Sequence, residues 1–186
     1  MYRAPVLPPQ PPLPGVRHNR VRAGDVELHL AELGPPDAPP LLLVHGWPQH
    51  WWCWRRVAPE LASDHRVLMP DLRGFGWSDT PRDGYEKEQF ASDMLALLDA
   101  LGIERAGYIG HDWGGFSGQL LALRAPERLT SLLLVSIPHV WASRHDQRNP
   151  RRLLAFFYQG PLSTPFVGER LMRLSLIHIS EPTRRS

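Results

Sequence analysis

The 186-residue chain has little cysteine, little lysine, few isoleucines and no long apolar run. Its one cysteine, Cys53, excludes an internal disulfide framework. That thiol reads as a packing residue, compatible with a reducing compartment. No stretch approaches the roughly 20 apolar residues that span a bilayer, and the N-terminus lacks an apolar segment followed by a small-residue cleavage site. Both absences point to a cytoplasmic protein with no membrane partner. Charge of either sign is in little excess: 21 Lys and Arg against 19 Asp and Glu leave a formal +2. That balance does not describe a nucleic-acid-binding surface. Lys87 is the only lysine among many arginines, a bias that suggests GC-rich coding DNA. Nothing in the residue pattern implies a metal or an organic cofactor.

Proline, by contrast, is plentiful. Six of the 20 fall within Met1 to Gly15, where missing backbone donors predict an extended, poorly ordered leader. An apolar content of 42% is ordinary for a soluble globular protein, and the length allows one domain with a real core. From Val16 to Leu33, apolar and polar residues alternate around Ala23-Gly24-Asp25, which predicts a hairpin with one face buried. Four short apolar runs follow: Pro40 to Val44, Arg66 to Met69, Ala106 to Ile109 and Leu132 to Ser136. Each reads as a strand buried on both faces. Helical periodicity separates them, clearest from Glu86 to Leu101, where Phe90, Met94, Leu97, Leu98 and Leu101 share one face. This alternation predicts an α/β fold with a mostly parallel sheet flanked by helices, and ligands bound beyond the carboxyl ends of the strands.

The third run leads into Gly110-His111-Asp112-Trp113-Gly114-Gly115, and Phe116 to Arg124 then reads as helix. A strand, a tight turn and a helix form the setting in which one side chain is lifted above a sheet, with small residues on either side relieving the crowding. The lifted residue is Asp112. A carboxylate there forms no useful acyl-enzyme, but it can displace a leaving group at saturated carbon and form an alkyl ester that water then hydrolyses. Epoxides and haloalkanes are suitable electrophiles. A lone Gly-x-Asp-x-Gly is equally well a simple turn, and it is the flanking strand and helix that give it meaning.

Three segments in order, His45-Gly46-Trp47-Pro48, Asp71-Leu72-Arg73-Gly74-Phe75-Gly76-Trp77-Ser78-Asp79 and Gly110 to Gly115, resemble the epoxide hydrolase branch of the α/β-hydrolase family over roughly residues 16 to 173. The resemblance implies an Asp112 nucleophile and an oxyanion hole made by the backbone N–H groups of Trp47 and Trp113. It makes His45 a residue that braces its loop rather than a general base. His111, next to the nucleophile, points to the opposite face. Gly74 and Gly76 read as sharp turns beside the site, Asp71 and Arg73 as scaffold, and Trp51, Trp52 and Trp54 as packing or pocket wall. The family also carries a lid whose tyrosines donate to the opening epoxide oxygen. Residues from His139 onward match its beginning, and Tyr158 resembles the first of those tyrosines, with a packing tyrosine as the alternative.

The family's water-activating histidine follows its last strand, with an acid to hold it. Leu174 to Arg184 instead reads as translated transposase-end adaptor DNA, which disqualifies His178, and His139 and His145 lie at the start of the lid. The expected organisation is a leader at 1–15, part of a hydrolase core at 16–138, the start of a lid at 139–173 and a non-native tail at 174–186. On this reading the chain is cut within the lid and lacks the last strands, the histidine and the acid, so it is inactive in turnover and prone to aggregate. The parent is expected to convert small apolar epoxides to vicinal diols. The alternatives are a haloalkane dehalogenase, favoured by the resemblance of Trp113 to a halide-holding tryptophan, and a non-functional gene fragment.

Overall fold

The computed structural model describes residues 7–137. The expected lid from His139, Tyr158 and the tail from Leu174 lie outside the described residues. The chain divides into two units, Met1–Ile137 and Pro138–Ser186, and the first carries the architecture set out below.

Nine principal elements follow one another: β1 (Arg17–Ala23), β2 (Val26–Leu33), β3 (Pro40–Val44), the single turn α1 (Ala58–Leu61), β4 (Arg66–Pro70), α2 (Lys87–Ala100), β5 (Ala106–His111), α3 (Trp113–Arg124) and β6 (Leu129–Val135). Gly24 makes the hairpin turn between β1 and β2 at φ +63°, a conformation that a side chain would oppose. The strands form one six-stranded sheet in the order β1-β2-β4-β3-β5-β6. The β1–β2 and β2–β4 pairs are antiparallel, whereas β4, β3, β5 and β6 run parallel. The chain moves from β3 outward to β4, then crosses back over β3 to β5. The ends of β3 and β5 therefore meet where the winding reverses, the usual place for a ligand crevice in such sheets.

Successive side chains of a strand point to opposite faces, and here this sorts the core into two layers. Leu42, Val44, Leu68 and Tyr108 meet Phe90, Met94, Leu97 and Leu98 of α2 and Leu121 of α3 on one face. On the other, Leu41, Leu43, Val67 and Met69 meet Ala31, Trp51 and Ala58. Trp52 and Trp54 pack against the rim of this second layer.

Two expectations need correction. Strand β2 is buried along almost its whole length, and β1 is exposed along most of its own. One-face alternation gives way because β2 is an interior strand held between β1 and β4, whereas β1 forms a sheet edge. Strand β6 has the expected apolar composition but is not buried on both faces: Leu133 is 55% exposed and Leu132 and Val135 are more than a third exposed. It is the opposite edge, paired only with β5 among the described residues. The described part of the leader is tied to the sheet unit, since the Trp77 indole N–H donates to the Pro8 carbonyl at 2.8 Å and Leu13 packs against the second layer. Among the described residues, no helix is long and apolar enough to cross a membrane.

Candidate active site

Asp112 stands between the last residue of β5 and the first of α3 with φ +51° and ψ −115°. A non-glycine residue held there stores on the order of 1–3 kcal/mol of strain, which the surroundings must offset. They do so by hydrogen bonding and by the absence of side chains. The Asp112 N–H donates to Val135 O at 3.1 Å, and its carbonyl accepts the Phe116 N–H at 3.0 Å. A β-carbon at Gly110 would lie 2.8 Å from Gly115 Cα, and one at Gly114 would lie 2.6 Å from the His45 carbonyl oxygen. The strand and helix can approach this closely only because both positions are glycine. The buried Tyr108 hydroxyl pairs with Ser117 Oγ at 2.5 Å and donates to Gly114 O at 2.9 Å, pinning the first turn of α3 to β5. Burial raises the Tyr108 pKa, so the phenol stays protonated and able to donate.

The chain leaving β3 supplies the facing wall. Gly114 N–H donates to His45 O at 3.0 Å, drawing the His45 loop against the elbow. The Trp47 backbone N–H then donates to Asp112 Oδ1 at 3.0 Å. Trp113 is the first residue of α3, so its N–H has no acceptor within the helix and lies at the positive end of the helix dipole. Its indole packs edge-on against Phe90, and the Lys87 ammonium sits 4.1 Å above the neighbouring Phe116 ring. The structure thus brings Asp112, Trp47 and Trp113 together. Tyr158 lies outside the described residues.

His45 is fully buried and both ring nitrogens are engaged: Nε2 accepts the Leu72 N–H at 3.0 Å, and Nδ1 is 3.0 Å from Gly46 O. Burial holds its pKa below the ordinary imidazole value. This is a bracing geometry. His111 is half-buried, and its Nδ1 has no hydrogen-bond partner among the described residues.

Asp71, read from sequence only as scaffold, is the hub of the loops behind the site. Its Oδ1 accepts the Trp51 N–H at 2.6 Å, and its Oδ2 accepts the Trp77 N–H at 3.0 Å and lies 2.8 Å from His29 Nδ1. His29 Nε2 in turn lies 3.0 Å from Nδ1 of the exposed His18. Gly76, at φ +51°, has no room for a side chain, since a β-carbon would be 2.9 Å from Asp71 Oδ1. Arg73 is also buried and grips Asp93 of α2 with two bonds of 2.6 Å, while reaching Asp25 of the hairpin turn at 2.8 Å. Sequence reasoning missed His29. Its signal was a polar residue inside the β2 apolar pattern, one that must find a partner if buried. Cys53 is inert in this setting, because burial pushes its thiol up to about 12.

With this geometry in place, the sequence profile described as alpha/beta hydrolase fold matches residues 39–182. Over 155 residues the chain is 33% identical to epoxide hydrolase 4 of Mus musculus, covering 80% of this chain and 43% of that protein. It is 42% identical over 100 residues to the soluble epoxide hydrolase of a Corynebacterium species, covering 54% of this chain and 34% of that protein. Among solved structures, an epoxide hydrolase from Vigna radiata superposes with a TM-score of 0.72 at 30% identity, covering 84% of this chain and 52% of that one. The chain spans about half the length of these relatives, or less.

Proposed function

Because the chain belongs to the alpha/beta hydrolase fold family, a family of hydrolase enzymes, we propose that it carries the nucleophile half of an epoxide hydrolase acting on small apolar epoxides in the cytoplasm. The observation that supports this reading best is the strained Asp112 elbow with the Trp47 N–H 3.0 Å from Oδ1. With Oδ1 tied to that amide, and no described residue bonded to Oδ2, the attack is assigned to Oδ2.

In the first half-reaction, Asp112 Oδ2 forms a bond to an epoxide carbon as the carbon–oxygen bond on its far side breaks. The released alkoxide takes a proton from a lid tyrosine, and Tyr158 is assigned that role. In the second, water loses a proton to a histidine and adds to Asp112 Cγ. The negative charge then develops on Oδ1, where the Trp47 and Trp113 N–H groups hold it. Collapse expels the diol and restores the carboxylate, and the proton held by the histidine returns through solvent to the tyrosinate. Loss of one such donor typically costs about 10²–10³ in rate. His45 is not the water-activating base, since both its ring nitrogens are already engaged, and that histidine and its acid are assigned outside the described residues. The reaction as written consumes only epoxide and water.

A haloalkane dehalogenase would form the same ester with halide as the leaving group. The epoxide reading is favoured because the relatives named above are epoxide hydrolases. Incubation with styrene oxide, followed by peptide mass spectrometry, tests it. An adduct on Asp112 that is absent from Asp112→Asn is the expected result, and its decay measures whether the second half-reaction proceeds. No adduct, or one confined to another residue, overturns the reading, and labelling by a haloalkane alone replaces it with the dehalogenase.

A further inference from the structure

We propose that His45 is a positioning residue whose ring tautomer aims the Trp47 amide at the Asp112 carboxylate. Its catalytic consequence rests on the role assigned to Asp112, but the geometry does not. The Gly46–Trp47 peptide is trans, so its carbonyl and its N–H point in opposite directions. Whatever holds the Gly46 oxygen therefore sets where the Trp47 hydrogen points. Two groups hold it: the Gln49 N–H at 2.8 Å and His45 Nδ1 at 3.0 Å.

The imidazole can donate there only if the proton sits on Nδ1. Leu72 enforces this, because its N–H points at Nε2 from 3.0 Å and needs a lone pair. In the other tautomer, Leu72 N–H would face Nε2–H and the Nδ1 lone pair would face Gly46 O. The Leu72 N–H and His45 Nδ1 would then be buried and unsatisfied, at roughly 1–3 kcal/mol each, and Gly46 O would keep only the Gln49 N–H. Residue 46 is glycine, and with no side chain to pin the backbone a rotation of this peptide is sterically cheap. Together with the Gln49 N–H, the imidazole supplies the restraint that the missing side chain cannot.

One group competes for the ring. Asp71 Oδ1 lies 3.9 Å from His45 Nε2 and would attract a proton there. Its charge is drawn away by the Trp51 and Trp77 N–H groups and by His29 Nδ1. The Phe75 ring stands edge-on to the imidazole at 5.5 Å between centroids. The sequence resemblance makes His45 a brace. What the structure adds is a direction of action, from Leu72 through one tautomer and one peptide plane to the nucleophile.

Two substitutions separate this from a merely structural role. In His45→Asn the side-chain amide stands where Nδ1 stands, so the bond to Gly46 O is kept and the Leu72 bond is lost. His45→Gln places its oxygen near Nε2, which keeps the Leu72 bond and loses the other. We expect H45N to retain the rate of Asp112 labelling by styrene oxide within about threefold and H45Q to lose about tenfold or more, because a carboxylate released from the Trp47 amide is no longer held in its attack geometry, with similar falls in melting temperature. Nitrogen-15 spectra of the parent ring should show the proton on Nδ1, and the Trp47 amide resonance should move in H45Q but not in H45N. A proton on Nε2, or equal behaviour of the two variants in the amide spectrum and in labelling, overturns the proposal. If the parent protein takes no label at all, the Asp112 reading fails while the two spectroscopic results still decide the role of His45.

Discussion

Gly46 lies directly against Asp112: a methyl group built on its α-carbon would overlap the Asp112 side chain and come 2.7 Å from Oδ1. The loop from β3 and the elbow after β5 are thus in contact at the point where the Trp47 N–H meets the carboxylate. Replacing Gly46 with alanine must displace one or the other. A single inserted methyl in a packed region costs about 1–3 kcal/mol, which the fold can survive, whereas a nucleophile displaced by about 1 Å costs about 10² in rate. We expect G46A to keep its far-ultraviolet circular dichroism and to label Asp112 at least about 10-fold more slowly. Undiminished labelling would show that the contact does not position the nucleophile.

Asp71→Asn tests the hub. One oxygen becomes an amide group that must face the Trp51 N–H or the Trp77 N–H and His29, all of which need an acceptor. Breaking a buried charged network in this way costs roughly 3–5 kcal/mol. The urea midpoint should drop sharply. A change below about 0.5 kcal/mol, the size typical of neutral surface substitutions, would mean that the loops hold themselves in place.

Arg73 joins three elements through one guanidinium, and both it and Asp93 are almost fully buried. Lysine has the charge but not the planar fork. We expect R73K to destabilise by about 2 kcal/mol or more, and the double replacement of Arg73 and Asp93 by apolar residues of similar volume to recover much of that loss. Equal stability of R73K and the parent in chemical denaturation would refute the bidentate account.

The pH dependence of stability follows from the histidines. Burial holds His45, His50 and His18 below the ordinary imidazole value of 6.5. The unfolded chain therefore binds more protons than the folded one as pH falls below about 6.5, and stability declines with it. Asp71, His29 and His111 face these rings and modulate the effect without reversing it. The urea midpoint should be lower at about pH 5.5 than at about pH 7.5, and His45→Asn should flatten the slope. A midpoint that rises on acidification contradicts this assignment.

The exposed edge also makes a prediction. Leu133 on β6 is 55% exposed, and an apolar edge strand is a template for pairing with another chain. Light scattering during concentration should show self-association of the parent chain, reduced in Leu133→Lys. A parent preparation that stays monomeric and melts in one sharp transition would show that the edge is covered.

Much of this was legible in the residue order. Short apolar runs separated by helical periods determined the α/β class, because strand and helix bury their apolar faces with different repeats. The glycines at 110 and 114 around Asp112 marked the elbow, because only residues without a β-carbon allow strand and helix backbones so close together. Strand order lay beyond the sequence. It is the crossing of the chain from β4 back over β3 to β5 that brings Trp47 to Asp112, 65 positions apart, and periodicity carries no information about which strands become neighbours. The same limit hid the hub. Asp71 and His29 look like unrelated polar residues until β2 pairs with β4, and the tautomer of His45 is settled only when the Leu72 N–H is folded against its ring. Local pattern decided which elements form. The distances between their ends, and so the chemistry available there, came from tertiary packing, which joins groups that the chain keeps far apart.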